Sequence, residues 1–198
     1  WLSDEIKDIR AQYPGKKIIF SMGRLVSYKG YEYLISAMTH LPEEYVLLIG
    51  SDGPLKEQLQ QQIEELGLKE RVTLLGGLKE EKKQAYFGAC DVFCLSSVMK
   101  TEAYAIVLVE AMSLGRPVIA TKIPESGVSW VNAHEVSGLN VPVRDPEALA
   151  EAIHKICGDP ELWKHYSQGA RQRYDDTFTK DEMINNLIET YTQLLNNN

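Results

Sequence analysis

Six short runs rich in branched and aromatic side chains, Lys17–Met22, Tyr45–Ile49, Val72–Leu75, Asp91–Leu95, Pro117–Thr121 and Gly138–Val141, alternate along the chain with segments of helical period. All six are apolar on both faces, so each must be covered on both sides. A parallel sheet with right-handed helical crossovers packed above and below it meets that requirement. The helical stripes are explicit: Leu34, Ala37, Met38 and Leu41 in one segment, and Leu55, Leu59, Ile63 and Leu66 in the next. The expected fold class is α/β, a three-layer α/β/α domain on a parallel six-stranded sheet.

The last third of the chain changes character. Asp145-Pro146-Glu147 and Asp159-Pro160-Glu161 each place a capping aspartate before a proline suited to a first helical position. Thr179 with Glu182 forms a capping box, after which Ile184, Leu187, Ile188, Tyr191 and Leu195 share one face of a final helix. The chain is thus expected to end in C-terminal helices with no strand between them, that last face being exposed or packed on another copy.

At 198 residues, with 44% apolar side chains and a net charge of -7, one domain with a sizeable core is expected, residues 1–198. The acidic balance argues against a disordered tail and against nucleic acid as the main partner. The longest apolar stretch, Ala103 to Val109, falls far short of the ~18 residues of a membrane span, and no signal segment opens the sequence. A cytoplasmic location is expected. The chain opens on Trp1 rather than Met, which reads as a piece of something longer. Cys90, Cys94 and Cys157 contain no CxxC pair, so neither a disulfide framework nor a zinc site is encoded, and core packing is expected of them.

In an open parallel sheet ligands bind beyond the carboxyl ends of the strands, which directs attention to four loops. After the first strand comes Gly23-Arg24-Leu25-Val26-Ser27-Tyr28-Lys29-Gly30. Lys29 is expected at the start of the following helix, where the macrodipole disfavours a cation by about a few tenths of a kcal/mol. Such a cation makes sense if an anion shares the site, and Arg24 and Lys29 with helix amides would clamp a phosphate or diphosphate. The alternative is two solvated surface cations. After the second strand, Gly50-Ser51-Asp52-Gly53-Pro54 suits a tight turn into a helix beginning near Pro54, and also permits close approach of a ligand. After the third, the exposed backbone of Gly76-Gly77-Leu78 could recognise a flat base.

The fourth loop leads into Thr101-Glu102-Ala103-Tyr104-Ala105-Ile106-Val107-Leu108-Val109-Glu110. Glu110 lies in an apolar helix expected to be largely buried, so its carboxylate needs a donor. A sugar diol is one; a buried Ser, Thr or Lys is the other. Glu102, near the positive end of that helix, could address another part of the same ligand. The histidines (His40, His134, His154, His165) are scattered, with no catalytic role expected. No DxD pair is present to carry a divalent metal, and neither a Walker A nor a GxGxxG sequence occurs.

Taken together, these motifs resemble the C-terminal half of a GT-B glycosyltransferase of the large retaining family four, which includes many bacterial lipopolysaccharide and capsule sugar transferases. The similarity runs from about Lys17 to the end. Gly23, Arg24, Lys29 and Gly30 match the GR...KG loop, Gly50, Gly53 and Pro54 the GxGP turn, and Glu102 and Glu110 the paired glutamates with seven residues between them. Glu110 to Thr121 resembles the EAM-x-x-G-x-PV-x-AT block, and Ser137 to Val141 the late nGllv strand. The resemblance implies a Rossmann-like domain, one half of a GT-B fold, that binds a nucleotide diphosphate sugar, with UDP-sugar favoured over GDP-sugar. It assigns Arg24 and Lys29 to the diphosphate, Glu110 to the ribose hydroxyls, Glu102 to the transferred sugar, and the backbone of Ala103, Tyr104, Ala105 and Ile106 to sugar and phosphates. Gly23, Gly53, Gly77 and Leu78 complete the implied donor site, with Arg24, Lys29 and Glu102 as the catalytic set.

Two positions depart from the family: Ala105 stands where glycine is usual, and Glu125-Ser126-Gly127 replaces a common glycine pair. The implied activity is hexose transfer with retention to a glycan or lipid-linked acceptor, without a metal or other cofactor, in lipopolysaccharide, O-antigen or capsule biosynthesis. The acceptor would bind an N-terminal domain of the same enzyme that this chain is too short to contain, so the chain alone is expected to bind donor weakly and transfer little sugar. The resemblance allows peripheral association of the complete enzyme with the inner face of a membrane. The rival reading is a nucleotide- or sugar-binding module without a catalytic partner.

Overall fold

The structure, a computed structural model, describes residues 2–196; Trp1 lies outside the described residues. β1 (Lys17–Met22) occupies the middle of a six-stranded sheet. It pairs on one side with β2 (Tyr45–Gly50), which pairs with β3 (Val72–Gly76). On its other side follow β4 (Val92–Leu95), β5 (Val118–Thr121) and β6 (Gly138–Val141). Every pairing is parallel, with Lys17 opposite Tyr45, Ile19 opposite Val92 and Ile119 opposite Leu139. The order β3-β2-β1-β4-β5-β6 reverses direction once, between β1 and β4, and opens a crevice at their carboxyl ends.

The flanking helices are α1 (Leu2–Gln12), α2 (Tyr31–Ala37), α3 (Lys56–Glu65), α4 (Glu80–Ala89), α5 (Ile106–Ser113), α6 (Val128–Val131), α7 (Pro146–Gly158), α8 (Pro160–Thr177) and α9 (Lys180–Asn196). Side chains alternate along each strand, which divides the core into two layers. Ile19, Leu47, Ile49, Cys94 and Ile119 pack with Leu34 and Ile35 of α2, Leu59 and Ile63 of α3, and Leu149, Ile153 and Ile156 of α7. Ile18, Phe20, Leu48, Phe93 and Ala120 pack with Phe87 of α4, Leu108 and Met112 of α5, and Val131 of α6. Each fully buried Leu, Ile, Val, Phe or Met side chain among them contributes about 1.5–3 kcal/mol. The Phe20 ring stands edge-on to Phe87 at 5.1 Å and to Phe93 at 5.9 Å, tying β1 and β4 to α4.

Two expectations are corrected. β3 is not apolar on both faces: Thr73 is exposed and Leu74 to Gly76 are only half-buried, because β3 is an edge strand and its outer face meets solvent. α3 begins at Lys56, near Pro54 as expected, after a turn in which the Leu55 N–H donates to the Leu25 carbonyl. Asp91 precedes β4 instead of opening it; its carboxylate accepts from the Ile18 N–H at 2.6 Å and from Arg10 at 2.6 and 2.9 Å.

The capping signals act as the sequence implies. Asp145 Oδ1 accepts from the Ala148 N–H at 2.9 Å, and Asp159 Oδ1 accepts from Glu161 and Leu162 at 2.9 and 3.1 Å. Thr179 Oγ1 accepts from the Glu182 N–H at 3.3 Å, one half of a capping box. The stripe of α9 finds no core within the described chain, and Ile184, Leu187, Ile188, Tyr191 and Leu195 are all exposed. Cys90 and Cys94 are buried and Cys157 is half-buried; burial pushes all three thiols up, Cys90 to about 12. Among the described residues no helix is long and apolar enough to cross a membrane.

Candidate functional site

The crevice between β1 and β4 is framed by the two loops that follow these strands. The β1 loop ends in a short 3-10 turn, Ser27–Lys29, closed by Gly30 at φ 64°. A Cβ on Gly30 would come within 2.3 Å of the Ser96 carbonyl oxygen, so only glycine lets this loop lie against the β4 loop. Ser96 Oγ donates to the Lys29 carbonyl at 2.9 Å, and the Val98 N–H donates to the Tyr28 carbonyl at 2.8 Å. The Tyr31 phenol, pushed well up by burial and so retained as a donor, holds the Gly23 carbonyl at 2.7 Å.

These contacts bring Lys29 to Glu102. Lys29 Nζ lies 2.5 Å from Glu102 Oε2, which also accepts from Ser97 Oγ at 2.7 Å; both charged residues are only 8% exposed. Lys29 therefore does not open α2, as the sequence reading expects. It closes the turn ahead of Gly30, and the anion that shares its site in the folded chain is a carboxylate. An ammonium has three donors and a carboxylate has two acceptor oxygens, so this pair leaves donor capacity on Lys29, and Glu102 Oε1 is unpaired among the described residues. Arg24 is exposed and makes no side-chain hydrogen bond or ion pair among the described residues, which leaves a free cation on the rim.

The segment after Glu102 is held from the far side. Ser126 Oγ donates to the Glu102 carbonyl at 2.5 Å and the Gly127 N–H to the Ala103 carbonyl at 2.9 Å. These bonds show what Glu125-Ser126-Gly127 does: a serine ties down the loop, at the cost of a positive φ of 58° at Glu125. Ala105, also departing from glycine, sits at φ 59° and ψ 64° as the residue before α5, a left-handed conformation that costs a non-glycine residue about 1–2 kcal/mol. No side chain caps α5, so its first turn keeps amides that no side chain engages, at the positive end of the helix.

Glu110 lies one helical face further along α5. That helix is less buried than expected: Leu108, Ala111 and Met112 are buried, but Ile106 is 67% exposed and Val107, Val109 and Glu110 are half-buried. The donor for Glu110 in the folded chain is Lys83 of α4, whose Nζ lies 2.6 Å from Oε1. Glu110 Oε2 has no hydrogen bond among the described residues.

At Gly53 the space of a Cβ is filled by the Leu25 backbone, with the Leu25 oxygen 2.5 Å away, so this glycine serves close packing of two loops. Gly77 is exposed with no atom near the position of a Cβ, while the Leu78 side chain packs into the core beneath Gly50. Tyr104 is exposed and leans on Trp130 and Phe178.

Reasoning from sequence offered a lysine among the donors to Glu110 without naming Lys83, named Ser126 only as a departure from the family, and missed Ser97. Lys83 sits in the run Glu80-Glu81-Lys82-Lys83, which reads as a solvated face, and nothing in a linear sequence separates this half-buried ammonium from its exposed neighbours. Among the described residues no group of three or more His, Cys, Asp and Glu side chains could hold a metal ion.

The profile of the family described as "Glycosyl transferases group 1" matches residues 3–173. The chain is 32% identical over 183 residues to O-antigen chain mannosyltransferase C of Escherichia coli, covering 91% of this chain and 48% of that protein. It is 32% identical over 174 residues to the lipopolysaccharide core biosynthesis glycosyltransferase LpsD of Rhizobium meliloti, covering 88% and 49%. Among solved structures, Anabaena Alr3699/HepE in complex with UDP superposes with a TM-score of 0.86 at 26% identity, over 96% of this chain and 53% of that one. The same protein has been solved with UDP-glucose. This chain thus spans about half the length of the relatives it matches. By its sequence and by the six-stranded parallel sheet that carries these loops, the chain belongs to the group 1 glycosyltransferases and has the Rossmann-like fold of a GT-B half.

Proposed function

We propose that the chain is the donor-binding half of a retaining glycosyltransferase that takes a hexose from a nucleoside diphosphate sugar, UDP-sugar favoured, and delivers it to a glycan or lipid-linked acceptor of bacterial surface polysaccharide. The observation that carries this reading is the meeting of Lys29 and Glu102, 73 positions apart, at the carboxyl ends of β1 and β4. A cation and a sugar-binding carboxylate side by side suit a ligand in which a phosphate adjoins a sugar. The printed names of the relatives and the UDP complexes of the Anabaena protein support the same donor chemistry.

In this reading the bond between the anomeric carbon and the diphosphate oxygen breaks, its electron pair stays on that oxygen, and an acceptor hydroxyl oxygen bonds to the carbon on the same face as the leaving group while its proton passes to the departing diphosphate oxygen. Negative charge builds on the terminal phosphate. Arg24, the free donors of Lys29 and the first amides of α5 stabilise it, each charge-assisted contact contributing about 2–4 kcal/mol, with no metal ion required. Glu102 Oε1 takes a hydroxyl of the transferred sugar, Glu110 Oε2 the ribose diol, and the open backbone at Gly77 faces the base. The acceptor belongs to an N-terminal domain of the complete cytoplasmic enzyme, and the 198 residues alone bind donor weakly and transfer little or no sugar.

A thermal-shift titration with UDP, GDP, ADP and NAD tests the reading. A nucleoside diphosphate at 100 times its dissociation constant should stabilise the chain by about 2.7 kcal/mol, and Arg24→Ala should abolish the shift. Stabilisation by NAD alone, or by none of the four, would overturn the proposal.

A further inference from the structure

Lys83 lies in a helix that displays charge to solvent, yet only 13% of its side chain is exposed, against 70% for its neighbour Glu80. Its ammonium points inward from α4 and bridges Glu80 Oε1 at 2.9 Å and Glu110 Oε1 at 2.6 Å. Burial pulls the Lys83 pKa down, but the two carboxylates more than offset this and hold it above its ordinary value, so the group is charged when it meets Glu110. α4 begins directly behind the Gly76-Gly77-Leu78 loop, on the side of the crevice where the reading above places the nucleoside.

We infer that Lys83 is a positioning residue for ribose recognition, fixing one oxygen of Glu110 so that the other is presented to the diol. This rests on the donor-binding role proposed for Glu110. A glutamate side chain on a half-exposed helix face samples several rotamers, and a diol is gripped only when the carboxylate plane is held. Lys83 supplies that restraint through Oε1, and Oε2 of this half-buried residue has no partner among the described residues. Because the ammonium is shared with exposed Glu80, it does not fully neutralise Glu110, which keeps the acceptor strength a sugar hydroxyl needs. The role is distinct from a mere tie between α4 and α5, which would affect all ligands alike.

Calorimetric titration of the 198-residue chain with UDP and with 2′,3′-dideoxy-UDP separates the two. The wild-type chain should prefer UDP, and Lys83→Met should weaken UDP by about tenfold while leaving the dideoxy analogue unchanged, so that the preference collapses. Lys83→Arg, which keeps a charged donor, should retain the preference, and Lys83→Gln, which keeps the fold if Met does not, should reduce it. Equal weakening of both ligands, or a fall in stability with the preference intact, would overturn the inference. UDP binding by the wild type without any preference would overturn it while leaving the phosphate-binding role standing. Absence of nucleotide binding by the wild type would sink that role as well.

Discussion

The Lys29–Glu102 pair is buried and reinforced by Ser97, so removing one member strands a charge in a place with little water. Glu102→Ala should lower stability by about 3 kcal/mol, and the double change Lys29→Met with Glu102→Ala should cost less than the sum of the singles, as read by urea denaturation of all four chains. Arg24→Ala, by contrast, touches an exposed side chain with no partner among the described residues and should move stability by less than about 0.5 kcal/mol while abolishing nucleotide binding. The thiols offer a third check: with burial raising all three, none should react rapidly with a thiol reagent at neutral pH until denaturant is added. At this scale the sequence shows which residue types matter but not whom they meet. Arg24, Lys29, Glu102 and Glu110 are recognisable from spacing, whereas the partners of the two acids, Ser97 five residues before Glu102, Ser126 ahead of α6 and Lys83 on α4, become visible only in the folded chain.

Elements were easier to read than contacts, because periodicity is local. Strands buried on both faces have no competing interpretation once helices separate them, and the Asp-Pro caps of α7 and α8 state their helix starts outright. Asp159→Ala should destabilise by about 1 kcal/mol, since one carboxylate oxygen serves two amides. Gly30→Ala should cost more, at least ~2 kcal/mol, because it adds left-handed strain to a collision with the Ser96 carbonyl, and the loss should appear in both stability and nucleotide affinity. What the local pattern could not reveal was position in the sheet. β3 is as apolar in sequence as its neighbours, and only its place at the edge exposes Thr73. Likewise α1 packs its Ile6 and Ile9 on Ala85, Gly88 and Ala89 of α4, where a Cβ on Gly88 would lie 2.4 Å from Ile6, a fit that neither segment announces by itself.

Across the whole molecule the terminal helix stands apart. Its apolar stripe is exposed from Ile184 to Leu195, so removal of residues 180–198 should lower stability by less than about 1 kcal/mol and leave the unfolding transition of the remainder cooperative. The single reversal of strand order has a different consequence. Residues 17–76 contribute three adjacent strands and residues 92–141 the other three, and the two sets touch in the sheet only where β1 meets β4. The cations Arg24 and Lys29 come from the first set and the acids Glu102 and Glu110 from the second. Cut between β3 and α4, the polypeptide would yield two fragments, each holding half of the chemistry and neither able to form the crevice alone. Mixed together they would regain nucleotide binding only by re-forming the β1–β4 pairing together with the packing of α1 on α4 and of α2 on α7, so a bound nucleotide would act as the glue of a split protein.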